Sequence, residues 1–170
     1  MTLTELFLAE LDREAARSRR ALEQMPEGKA DWKPHEKSMA FGYLSELVAI
    51  MPQWIALAIT RSELDLNPPG GGSAVKRTPM HTGADYVAGL DRAVAEAREA
   101  LQKTNDEFLK TPWKLLVGGN TVMESPRHVV IQDTFNHLSH HRGQMTVYLR
   151  LLGRTVPAIY GPSADDRSFK

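Results

Sequence analysis

The chain has 170 residues, with 21 basic and 21 acidic side chains in balance and no cysteine. That length suits a single domain, 1–170, with a core of its own. The balanced charge offers no footprint for nucleic acid, and the lack of cysteine excludes disulfides, thiolate catalysis and cysteine-ligated zinc.

Four segments carry helical periodicity. The first runs from about Thr4 to Met25, with Leu6, Leu11 and Leu22 on one face and Arg and Glu side chains on the other. It lacks the apolar centre of a signal peptide. Pro26, Gly28 and Pro34 interrupt the pattern. The second segment starts after Ser38, which reads as an N-cap, and runs to about Leu64. Leu44, Leu47, Val48, Met51, Ile55 and Ala58 form its apolar stripe, and Pro52 inside it predicts a kink. The apolar stretch 47–59 is too short to span a bilayer, which takes roughly 20 residues.

Residues 65–83 are rich in proline and glycine and read as a long, mobile connection. The third helix spans about Ala84 to Leu109. Two short apolar runs around Gly118, Gly119 and Asn120 predict a small hairpin or extended loop over 111–126. The fourth helix follows Pro126 and runs to about Leu152, where Gly153 stops it. The tail "RTVPAIYGPSADDRSFK" reads as irregular. Together these elements predict an all-α four-helix bundle with one long crossover and a short extended hairpin before the last helix. A soluble, cytoplasmic protein without a nucleic-acid or membrane partner is expected.

The candidate chemistry lies in "FNHLSHHRGQM", residues 135–145. Residues four apart share a helix face, so His137 and His141 are neighbours. Their stripe continues through Gln144 to Tyr148, with Leu138, Met145 and Leu152 alongside, while His140 falls at the flank and Arg150 opposite. Two imidazoles aimed into a bundle can supply two metal ligands. They can equally be buried histidines bonded to their neighbours. A catalytic metal needs a third protein ligand from another helix. Arg142 reads as a structural ion pair or a dimer contact.

The block "NHLSHHRGQMTVYLRLLGRTVPAIYGPSAD" resembles the C-terminal signature of the DinB family, also called the DinB/YfiT-like superfamily. The likeness extends through "MPEGKADWKPHEKSMAFGYLSELVAIMPQW" and "LLVGGNTVMESPR". It implies a four-helix bundle with a long crossover, commonly a homodimer through helix faces. It also implies a divalent zinc or nickel ion held by three histidines, two from the fourth helix and one from the second. Some relatives are metal-dependent thiol transferases. The fourth-helix ligands map onto His137 and His141. Matching Leu44, Pro52 and Trp54 to the family pattern puts the third at Leu47, which cannot bind a metal, and a frequent acidic position at Ile50. Glu46 turns about 100° away from Leu47. His35 and His81 stand outside the pattern, and His128 lies roughly 15 Å along the helix from His137.

Two readings follow. In one, a degenerate metal site, with zinc or nickel weakly held or absent, leaves a small-ligand or interaction protein. Its pocket comprises Leu47, Met51, Trp54, Gln144 and Tyr148, and the ligand is an unidentified small molecule. In the other, His137 and His141 serve a metal-dependent thiol S-transferase or hydrolase.

Overall fold

The computed structural model describes residues 1–72 and 78–168. The first helix, α1 (Leu3–Leu22), opens with a capping box. Thr2 Oγ1 accepts from the Glu5 amide and Glu5 Oε2 accepts from the Thr2 amide, which satisfies two of the donors a helix start leaves over. Its buried face is Phe7, Leu11, Glu14, Ser18, Ala21 and Leu22. Glu14 therefore sits among core residues, contrary to the expectation that every acidic side chain of this helix faces out.

The expected long second helix is two helices, α2 (Phe41–Ile50) and α3 (Gln53–Thr60), bent by 49°. Pro52 has no N–H to donate and crowds the preceding turn, so the predicted kink is a full break. Ser38 is not the cap. Ala40 holds that position without a side-chain bond, and the amides of Phe41 and Gly42 instead donate to Trp32 O (2.9 Å) and Ala30 O (2.8 Å) of the preceding loop. That loop presses on α2 so closely that a Cβ added to Gly42 would lie 2.9 Å from Ala30 Cβ.

Nor does the helix reach Leu64. Arg61 turns extended (φ −119°, ψ 153°), and β1 (Glu63–Asp65) pairs in parallel with β2 (Pro112–Val117). The latter pairs antiparallel with β3 (Asn120–Pro126), giving the order β1-β2-β3. The fold is thus mostly helical with a small mixed sheet, rather than all-α. Gly118 and Gly119 form the hairpin tip at φ 60° and 80°, a conformation that favours glycine at both positions. Asp65 locks β1 to that tip, its carboxylate accepting from the amides of Gly118 (3.0 Å) and Gly119 (2.7 Å). Part of the connection read as mobile, 73–77, lies outside the described residues.

Thr82 and Asp85 form a second capping box at the start of α4 (Gly83–Gln102). The expected continuation to Leu109 is interrupted. Asn105 caps a separate short helix, α5 (Asp106–Leu109), by accepting from Phe108 N at 2.9 Å. Asn favours caps over helix interiors because its side chain competes for backbone donors. The last helix, α6 (Arg127–Leu151), follows Pro126 and is closed by Gly153 at φ 66°.

The four legs of the bundle are α1, the α2–α3 pair, α4 and α6. Helix α4 packs against α1, α2 and α3, and α6 packs against the same three. One buried cluster centres on Phe7, Ile55, Trp113 and Phe135, and the other on Phe41, Tyr86, Leu138 and Leu149. Trp54 and Val94 pack against both. Among the described residues no single helix is long and apolar enough to cross a membrane.

The tail lacks regular structure but is firmly bonded. Arg142 on α6 is 1% exposed. It donates to Glu14 Oε2, Ser18 Oγ (3.0 Å) and Tyr160 Oη (2.5 Å). Tyr160 in turn donates to the Glu14 carboxylate at 3.1 Å, and the Arg17 guanidinium lies 4.3 Å over its ring. Burial pushes the Glu14 carboxyl up, but the charge and hydrogen bond of Arg142, with those of Arg17, outweigh it and hold the group below its ordinary value. Downstream, Asp165 accepts from Val156 N (2.8 Å) and pairs with Arg150, while Ser163 Oγ accepts from the amides of Asp165 and Asp166. The "YGPSAD" stretch is thus the clamp that fastens the tail to α1 and α6.

Candidate functional site

Periodicity places Val130, Asp133, Thr134 and His137 at steps of three and four, along one face of α6. All four line a cavity of about 540 Å³. The facing wall comes from α2 and α3 through Leu47, Ile50, Met51 and Trp54. The sheet supplies Trp113, Leu115 and Met123. Strand alternation explains that choice. Trp113 and Leu115 are two apart on β2, and Met123 pairs with Leu115 across the ladder, so all three share the face turned to the helices. Tyr43 and Leu66 complete the lining and are exposed.

The sequence-predicted residues divide into two groups. Leu47, Met51, Trp54 and His137 line the cavity. His141, Gln144 and Tyr148 lie further along α6 and are not among its lining residues. The His137 and His141 rings are 4.4 Å apart, and His140 is 5.4 Å from His141. His141 is buried, whereas His137 and His140 are exposed. His141 Nδ1 lies 3.0 Å from Gln144 Oε1; in the tautomer that donates from Nδ1, the lone pair sits on Nε2. Burial drives the His141 pKa below its usual value against the opposing Gln144 bond, and the neighbouring His137 and His140 push it the same way, so the neutral ring is favoured. Tyr148 packs edge-on against Trp32 at 5.6 Å and donates to Met39 O at 3.2 Å.

The other histidines are engaged elsewhere. His35 Nδ1 accepts from the Lys37 amide, His128 Nδ1 meets Leu109 O, and His81 is exposed beside Asp85. Among the described residues no group of three His, Cys, Asp or Glu side chains could hold a metal ion. The donor set therefore does not fit a resident metal with three protein ligands. The two fourth-helix imidazoles are adjacent, and the wall of α2–α3 facing His137 across the cavity holds Leu47, Ile50 and Met51, which offer no imidazole or carboxylate.

Sequence reasoning missed the sheet's share of the site, together with Asp133 and Thr134. The signals were present. Asp133 stands one turn before His137, and Trp113, Leu115 and Met123 sit in alternating patterns. What periodicity cannot supply is the parallel pairing of β1 with β2 and the packing of β2 and β3 against α6.

Comparison with known proteins agrees with this architecture. A DinB-like protein of Bacillus cereus ATCC 10987, solved by crystallography, superposes with a TM-score of 0.69 at 21% identity, over 92% of this chain and 97% of that one. A DinB-like protein of Bacillus subtilis, YjoA, gives a TM-score of 0.67 at 17% identity, over 95% of this chain and 99% of that one. The uncharacterized protein YrdA of Bacillus subtilis strain 168 is 44% identical over 99 residues, 52% of this chain and 51% of YrdA. The chain thus spans about half the length of that curated relative. The DinB family model matches residues 1–168, nearly the whole chain, and the protein belongs to the DinB family.

Proposed function

We propose that this protein binds a small, largely apolar molecule in the cavity between α2–α3, α6 and the sheet, and that zinc or nickel is at most weakly held beside it. The observation carrying this reading is Leu47. It stands where the family resemblance calls for a histidine, and its neighbours on the same wall, Ile50, Met51 and Trp54, are apolar too. A cavity of about 540 Å³ falls in the usual range for small-molecule sites, which are mostly apolar with a few placed polar groups. A homodimer through helix faces belongs to the same proposal and rests on the family.

The second reading, a metal-dependent thiol S-transferase or hydrolase, is supported by the adjacency of His137 and His141 and by the lone pair on His141 Nε2 in the tautomer that donates from Nδ1. Titration with the neutral fluorophore N-phenyl-1-naphthylamine separates the two. Saturable one-to-one binding, blocked by Leu47→Trp and unchanged by His141→Ala, outside the cavity lining, or by added zinc, supports the binding reading. Failure to bind, with tight stoichiometric uptake of zinc, supports the enzyme.

A further inference from the structure

Trp113 is fully buried, and its indole Nε1–H has no hydrogen-bond partner. A buried donor without an acceptor forfeits the hydrogen bond it made to water, so native structures retain few of them. This one belongs to a residue that lines the cavity. The surrounding groups do not satisfy it. Leu115, Met123, Met51 and Val130 offer no oxygen from their side chains, and the Thr134 hydroxyl is turned to Val130 O at 2.9 Å. Met51 and Met123 on the same lining are unbranched and adaptable, so the wall can yield to a guest.

The geometry points to a ligand with a defined polar feature: an uncharged, flat, apolar molecule carrying one hydrogen-bond acceptor, such as a carbonyl, which takes the Trp113 N–H. This inference rests on the cavity being the binding site, as proposed above, and specifies what the site selects. A carboxylate on the guest is disfavoured because Trp113 supplies a neutral donor and Asp133 on the same cavity is acidic. Selection by a buried donor is also sharper than selection by shape, because a guest lacking the acceptor leaves the N–H unpaired.

The test uses two isosteric probes, 2-acetylnaphthalene and 2-isopropenylnaphthalene, which differ by a carbonyl oxygen against a methylene. The chain has three tryptophans, so its nitrogen-15 spectrum carries at most three indole N–H resonances. Removing Trp32 and Trp54 in turn assigns that of Trp113. The ketone is expected to bind at least about fivefold tighter than the alkene. It alone should move the Trp113 indole proton downfield, and Trp113→Phe should abolish the preference. The wild-type spectrum is decisive even where Trp113→Phe fails to fold. Equal binding of both probes with a stationary Trp113 resonance overturns this inference and leaves the cavity reading intact. Preference for the ketone that survives Trp113→Phe assigns the carbonyl to another donor and overturns it as well. Binding of neither probe overturns both.

Discussion

Glu14 and Arg142 form a fully buried ion pair, each side chain 1% exposed, and with Tyr160 they pin α1, α6 and the tail together. Glu14→Gln keeps the shape and removes the charge. The Arg142 guanidinium then stays buried with Ser18, Tyr160 and an amide in place of a carboxylate. Breaking a buried pair from one side costs about 3–5 kcal/mol, far above the 0–1 kcal/mol of an exposed pair. For a chain of this size that corresponds to a fall in Tm of roughly 6–20 °C. Replacing both residues, Glu14→Leu with Arg142→Met, should recover most of the loss, because no fully buried charge remains and Arg17, which also loses its carboxylate partner, is partly open to water. Urea unfolding followed by circular dichroism measures all three variants. Glu14 also titrates with a definite sign. Its folded-state pKa is lowered, so its stabilisation is fully present above the unfolded value near 4.5 and is lost as pH falls through the folded value. The gap between wild type and Glu14→Gln should therefore close on acidification below that point. A Glu14→Gln loss under about 1 kcal/mol at pH 7, or a gap equal at pH 7 and pH 3, would mean that the buried pair does not hold these elements together.

Two further outcomes are expected. Gly42→Ala places a methyl 2.9 Å from Ala30 Cβ and 3.0 Å from the Tyr86 hydroxyl, so it should cost about 1–3 kcal/mol. Gly143→Ala meets nothing within 4 Å in mid-helix and should raise stability by about 0.5–1 kcal/mol, so thermal melts of the pair should move in opposite directions. A homodimer should scatter light as about twice the 19.0 kDa chain, and a monomer mass at micromolar concentration would count against it.

Much of the fold is legible in the sequence, and what is not has physical causes. Pro52 announces the bend in the second leg and Gly153 the end of the last, because each residue acts on its own backbone. The side chains of Thr2, Thr82 and Asn105 cap α1, α4 and α5, and the periodic pattern marked none of them. Ser38 looked like a cap, but the start of α2 is satisfied by carbonyls of Trp32 and Ala30, a tertiary arrangement that no local pattern encodes. Glu14 reads as a solvated acid until Arg142, 128 residues away, is brought beside it. The pairing of β1 with β2 likewise joins segments about 50 residues apart in sequence. Of the candidate site, the α2–α3 wall and His137 could be found from helical spacing. The sheet's face required the topology.

In the proposed reading Leu47 takes the place of a metal ligand and leaves a cavity suited to an apolar guest. Calorimetric titration of zinc into untagged wild type and Leu47→His tests it most directly. The wild type should bind weakly, because a zinc ion needs about four donors and His137 and His141 are the two protein donors in place. Leu47→His should tighten binding at least about tenfold, roughly 1.4 kcal/mol, and His137→Ala in that background should remove the gain. Tight, stoichiometric binding by the wild type, unchanged by Leu47→His, would contradict that reading.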